Sequence, residues 1–135
     1  MPALALNPRA GRFVDLRLDE GSRRIIVTIV GACTGAQVSS KVAQMFLSRP
    51  ELTSWDMLYD ILDYTGDVEA EHVKPIAEAY ERCRPDPSVK CRTAFATHDS
   101  NFGLWATSMD FHFPGREHRA FATLEDAVTF LDSPR

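Results

Sequence analysis

Apolar and polar residues partly alternate along Phe13-Val14-Asp15-Leu16-Arg17-Leu18, and a β-branched run, Arg24-Ile25-Ile26-Val27-Thr28-Ile29-Val30, follows closely. A period near two marks strands, and Asp19-Glu20-Gly21-Ser22 between the runs marks a turn, so the pair predicts an antiparallel hairpin. The second run is almost wholly apolar, the pattern of a central strand covered on both faces. From Gly35 the spacing lengthens. Val38, Val42, Met45 and Phe46 share one helical face. Thr34 is placed to cap that helix, and Arg49-Pro50 to end it, because the residue before proline avoids the helical region.

Trp55 to Tyr64 fits either period, but it is short and aromatic and ends in Thr65-Gly66-Asp67, which predicts a strand. Val73, Ile76, Ala77 and Tyr80 then line a second helix, with Pro75 expected in or near its first turn. Arg84-Pro85-Asp86-Pro87 reads as a rigid loop, and Val89 to Thr97 as a buried strand around Ala94-Phe95-Ala96. Ser100 is placed to cap a third helix whose inner face is Phe102, Trp105, Ala106 and Met109. Glu117 to Ala122 reads as the last strand. Thr123-Leu124-Glu125-Asp126 resembles a capping box that opens a final helix on Ala127, Val128, Phe130 and Leu131.

The resulting order, β-β-α-β-α-β-α-β-α, predicts a single α/β domain over residues 12–135. Its sheet should have four or five strands, mostly parallel, with an antiparallel edge strand and about four helices. Residues 1–11 carry two prolines and no periodicity, and read as a loose arm.

Composition narrows the class. Of 135 residues, 44% are hydrophobic and 25% charged, and 15 basic against 19 acidic side chains give a net charge of −4. A chain this long buries roughly 68% of its unfolded surface, so it needs no disulfide staples. The acidic balance argues against a nucleic-acid partner. No run approaches the ~20 apolar residues of a membrane span, and the first residues lack the charged n-region of a signal peptide. Cys33, Cys83 and Cys91 are odd in number and lack C-x-x-C spacing, which predicts free thiols and a cytoplasmic protein.

Ile25–Gly31, Trp55–Gly66, Thr93–Asp99 and above all Arg119–Leu131, with its strand end at Phe121 followed by Thr123-Leu124-Glu125-Asp126-Ala127, resemble the SpoIIAA-like family. These are relatives of the STAS domain of anti-sigma-factor antagonists. The resemblance runs from residue 13 nearly to the end and rests on order and spacing more than on signature residues. It implies a four- or five-stranded sheet with packed helices, and regulatory or binding roles rather than catalysis. In anti-sigma-factor antagonists a D-S-S-G segment carries a phosphorylated serine before the glycine. The matching residues here are Asp63-Tyr64-Thr65-Gly66, which makes Asp63, Thr65 and Gly66 a candidate phospho-switch or partner loop. Thr65 keeps the hydroxyl beside an expected helix start, where an anion is tolerated. Tyr64 departs from the pattern, and Asp67 and Glu69 would repel a phosphate. An ordinary strand-to-helix turn is the competing reading.

Sites in open α/β sheets form at the carboxyl ends of parallel strands. Those ends carry Cys33 and Thr34, Asp63 and Thr65, and His98, Asp99 and Ser100. A thiol nucleophile with a histidine base is conceivable there, but small-residue packing and turn chemistry explain the same residues. There is no nucleophile elbow, and Gly31-Ala32-Cys33-Thr34-Gly35 is too short for a phosphate-binding loop. His72, His112 and His118 lack zinc spacing and read as solvated loop residues. Arginine outnumbers lysine twelve to three, and Arg116 with Arg119 could grip an anion but read better as solvated edge residues. Between Phe102 and Phe113 lie Phe102, Leu104, Trp105, Met109, Phe111 and Phe113, more apolar surface than one helical face uses. The surplus of Leu104, Phe111 and Phe113 marks a ligand or homodimer surface, against the alternative of ordinary core. The reading drawn is a cytoplasmic, non-enzymatic regulatory or protein-interaction module. It needs no cofactor, metal, nucleic acid or stable membrane association. The alternative is a small-molecule or lipid-binding module with an apolar pocket near Trp105.

Overall fold

The computed structural model describes residues 11–83, 85–86 and 88–135. All but the last residue of the arm expected over 1–11 lies outside them, as do Arg84 and Pro87 of the proline-rich loop. Five strands are joined in sheet order β1 to β5: β1 (Phe13–Asp19), β2 (Arg24–Val30), β3 (Asp56–Asp60), β4 (Cys91–Ala96) and β5 (Arg116–Phe121). Strand β1 pairs antiparallel with β2, and all later pairs are parallel. The helices are α1 (Gly35–Ser48), α2 (Ala70–Arg82), α3 (Phe102–Ser108) and α4 (Leu124–Asp132). A 3-10 turn over Pro50–Ser54 follows α1, and another over Met109–Phe111 follows α3. This is the α/β order that the spacing predicts.

Local chemistry explains most boundaries. Thr34 caps α1 by accepting the Gln37 amide at 3.1 Å, while the Gln37 side chain accepts the Thr34 amide at 2.8 Å. Thr123 caps α4 by accepting the Asp126 amide. The β1–β2 turn closes with Arg23 in the left-handed region at φ 55°, and Ser22 donates to Asp19.

Four expectations are corrected. Ser100 does not cap α3. Thr97 Oγ1 accepts the Asp99 amide and Asp99 Oδ1 accepts the Asn101 amide, so the turn passes Ser100 and the helix starts after Asn101. Strand β3 is half the expected length, because beyond Asp60 the chain turns: the Leu62 amide binds Asp60 and the Tyr64 amide binds the Ile61 carbonyl. Pro75 sits in the second turn of α2, where it forfeits a bond to the Glu71 carbonyl. Strand β2 is fully covered on one face only. Ile25, Val27 and Ile29 are buried under α1 and α2, while Ile26, Thr28 and Val30 are half-buried, because α4 lies over β3, β4 and β5 instead.

The core therefore has two parts. The larger lies between the sheet and α1, α2 and α3; the smaller joins Leu58, Ala94 and Ala96 of the sheet to Ala127 and Leu131 of α4. Arg92 secures the end of α4 by donating to the carbonyls of Phe130, Ser133 and Pro134. On the larger face α1 packs along α2, whereas α3, only seven residues long, leans on β5. The space between α2 and α3 is left unfilled. No helix among the described residues is long and apolar enough to cross a membrane.

Candidate ligand cavity

That gap is a cavity of about 310 Å³. Its sheet floor is Met57, Tyr59 and Phe95; Val38, Val73 and Ile76 line it from α1 and α2. Phe102, Trp105 and Met109 form the wall under α3. The register orders the floor into rows. Met57, Thr93 and His118 are level with one another, and Tyr59 and Phe95 stand two residues further along. Thr97, two residues beyond Phe95, also lines the space, so it runs about 13 Å along β4 at ~3.3 Å per residue. Asp67, Asp99 and Asn101 line it and are exposed, which puts the mouth at the carboxyl ends of the strands. The closed end is capped by Arg116, Phe46 and Phe113.

Aromatic contacts make the walls firm. Tyr59 stacks on Phe95 with ring centroids 4.8 Å apart, and Phe102 meets Phe95 at 5.1 Å and Trp105 at 4.9 Å. Burial pushes the Tyr59 phenol up to about 12, so it stays protonated.

The closed end is polar. Arg116 is 4% exposed. It donates from Nη1 to Thr93 Oγ1 (3.0 Å) and from Nη2 to the carbonyls of Thr53 (3.0 Å) and Trp55 (2.7 Å). Its Nε is buried with no partner, and its guanidinium lies 5.6 Å from the Tyr80 ring centroid. His118 is 3% exposed. Its Nδ1 is 2.9 Å from Asp110 Oδ1, which also accepts the His118 amide at 2.8 Å. Burial lowers the His118 pKa to about 4 against the opposing pull of the Asp110 hydrogen bond, so the ring is neutral at pH 7. In that form Nδ1 carries the proton toward Asp110, and Nε2 is an acceptor.

The residues singled out from sequence divide. Phe102, Trp105, Met109 and Phe113 line the cavity; Leu104 (84% exposed) and Phe111 (88% exposed) face solvent. Phe113, read from sequence as ligand or dimer surface or else as core, is buried and lines the cavity, its ring 5.2 Å from Tyr80 and 5.4 Å from His118. Asp63 and Thr65 are exposed. Their loop is tied to the end of β2 by Gly31 N to Asp63 O and Thr65 N to Gly31 O. Any side chain at Gly66 would collide with the Cys33 carbonyl. Thr65 is not at a helix start, since α2 begins at Ala70 and Glu69 occupies its N-cap.

The remaining chemistry separates. Cys33 is buried and donates to the Val30 carbonyl, whereas His98 is exposed on the far side of β3. Of the histidines read as solvated, His112 is exposed, His72 accepts the Glu69 amide at the start of α2, and His118 is a buried strand residue. Arg116 lies on the edge strand β5 as expected, but it is buried rather than solvated. Arg119 is the half-exposed one, paired with Glu117 at 2.7 Å. The sequence offers Arg116 as an anion grip and His118 as a metal ligand only to read both as solvated, and it does not single out Thr93 or Tyr59. The available signal was period two: a strand begun at Arg116 puts Arg116, His118 and Ala120 on the face of Phe95.

No family model matches the chain, and no curated protein matches it. Solved structures do. One is an uncharacterized protein from the DUF3478 family with a SpoIIAA-like fold from Shewanella loihica PV-4, at 14% identity and a TM-score of 0.59. The likeness covers 90% of this chain and 94% of that one. A second is an anti-sigma factor antagonist from Mycobacterium paratuberculosis, at 14% identity and a TM-score of 0.50, covering 92% and 97%. Strand order, crossover helices and these two likenesses agree: the chain adopts the SpoIIAA-like fold shared with anti-sigma-factor antagonists.

Proposed function

We propose that this chain is a non-enzymatic binding module that holds a small, mainly apolar molecule between α2 and α3. The observation that carries the reading is the cavity of about 310 Å³ against Trp105. It falls in the size range of ligand sites, and a few polar groups stand against a largely apolar wall. The sequence places protein contacts first and such a pocket second; the cavity reverses that order. Cys33 and His98 follow strands separated by β3, and Cys33 is buried on the Val30 carbonyl, which supports a non-enzymatic role; the free thiols of Cys33, Cys83 and Cys91 fit a reducing, cytoplasmic setting. The test is titration with 1-octanol followed by Trp105 fluorescence, in the native chain and in Val73→Phe, whose ring fills the space. Saturable binding lost in the variant supports the reading. Equal response in both, or none in either, refutes it.

A second reading, a regulatory module acting through protein contacts, is favoured by the fold likeness and by two exposed apolar side chains, Leu104 and Phe111. Their occupant in this reading is a second copy of the chain, and the exposed Thr65 is its candidate switch. Sedimentation decides it: a native dimer that dissociates in Leu104→Ser/Phe111→Ser supports self-association, and a native monomer rejects it.

A further inference from the structure

A charged arginine sealed beneath an apolar cavity needs an account. Guanidinium is always protonated in proteins, and a buried charge without an opposite partner is costly. Among the described residues no carboxylate pairs with Arg116. Glu117, its neighbour, turns to Arg92 and Arg119, and Asp110 serves His118 and Arg119. Asp56 is held by Arg135. Carbonyl oxygens and the Thr93 hydroxyl take three of the five guanidinium N–H groups. The buried Nε–H has no acceptor, and one Nη1–H remains uncommitted. Arg116, Thr93 and His118 all line the cavity, so an occupant reaching the closed end meets an uncompensated positive charge.

We infer that the ligand is a monocarboxylate with an apolar body, its head at the Arg116 end of the cavity and its tail toward Phe102 and Trp105. This deepens the cavity reading and rests on it. One buried cation matches one negative charge, which favours a carboxylate over a phosphate dianion. Charge-assisted bonds to an arginine are roughly twice as strong as neutral ones and stronger still away from water. At ~30 Å³ per water the cavity holds the volume of about ten waters, so an occupant of about ten non-hydrogen atoms fits it. Its length of about 13 Å accommodates such a molecule extended. Asp67 and Asp99 at the mouth oppose an anion on its way in, but they are exposed, and salt screens them over a Debye length of ~8–10 Å.

The test compares octanoate with 1-octanol, whose tails match, by Trp105 fluorescence at pH 7.5. The native chain should bind octanoate at least tenfold more tightly. Arg116→Lys should retain a preference for the acid, and Arg116→Met should abolish it. Octanol binding as well as octanoate, or better, in the native chain overturns the carboxylate assignment and leaves the cavity reading standing. Failure of both ligands to bind removes the cavity reading and the assignment together. The native comparison decides the question even if Arg116→Met does not fold.

Discussion

Lowering the pH should destabilise this protein through one buried ring. His118 sits between Phe95, Phe113 and the cavity, with its pKa lowered from 6.5 to about 4 by burial. Well above pH 6.5 the ring is neutral in both folded and unfolded chains and adds no pH dependence. Between 6.5 and about 4 the unfolded chain binds a proton that the folded one excludes, so stability falls as pH falls. Integrating those two values, the loss from this group is ~2 kcal/mol at pH 5, and about 3 kcal/mol once both states are protonated. Urea unfolding followed by circular dichroism at pH 7.5 and 5.0 measures it. His118→Gln has no titrating ring there, so its stability difference between the two pH values should be smaller than that of the native chain by ~2 kcal/mol. Imidazole NMR gives the pKa directly. A folded-state midpoint at or above 6.5 would show that the Asp110 carboxylate outweighs burial and would refute the reasoning.

Three further outcomes follow from local geometry. Gly103 lies inside α3 with open space where a Cβ would stand, so Gly103→Ala should raise stability by about 0.5–1 kcal/mol, read as a higher Tm. Gly66→Ala should lower it by about 1–3 kcal/mol in urea unfolding, because the methyl group meets the Cys33 carbonyl, which is backbone and cannot swing aside. Leu131 is buried on the inner face of α4 against Leu58, Ala94 and Ala96; Leu131→Ala should cost about 2–5 kcal/mol by the same assay.

The fold was legible because most of its signals are local. The Thr34 and Thr123 caps, the stop at Arg49-Pro50 and the β-branched run of β2 each act within a few residues. The candidate site was legible only in part. Trp105, Phe102 and Met109 stand out by helical spacing, but the cavity exists because α3 fails to reach α2, and no periodicity records a missing contact. Arg116 and His118 were misassigned for a related reason. Charged or titratable residues beside Pro114-Gly115 look like a solvated loop, and only their pairing with Cys91 and Thr93 in the sheet shows which way they face. The same limit applies to Leu104 and Phe113, nine residues apart: one is exposed and one is core because the chain reverses between them.

The cavity also constrains how the protein spends its time. A dry apolar void of about 310 Å³ costs ~7 kcal/mol at ~24 cal/mol per Å³. That rivals the whole stability of an ordinary domain, about 5–15 kcal/mol. The mouth relieves part of the cost by admitting water, yet waters against Val73, Ile76, Phe95 and Phe102 find few partners. Those partners cluster at the closed end around Thr93, Arg116 and His118. A ligand with one anionic head and an apolar body meets the Arg116 charge and the apolar walls at once, whereas water meets only the polar groups. Occupancy should therefore register as stability: at a hundred times its Kd, such a ligand adds about 2.7 kcal/mol. Octanoate at saturation should accordingly raise the urea midpoint of the native chain and leave that of Val73→Phe where it was. An equal rise in both would mean that the acid acts somewhere other than between α2 and α3.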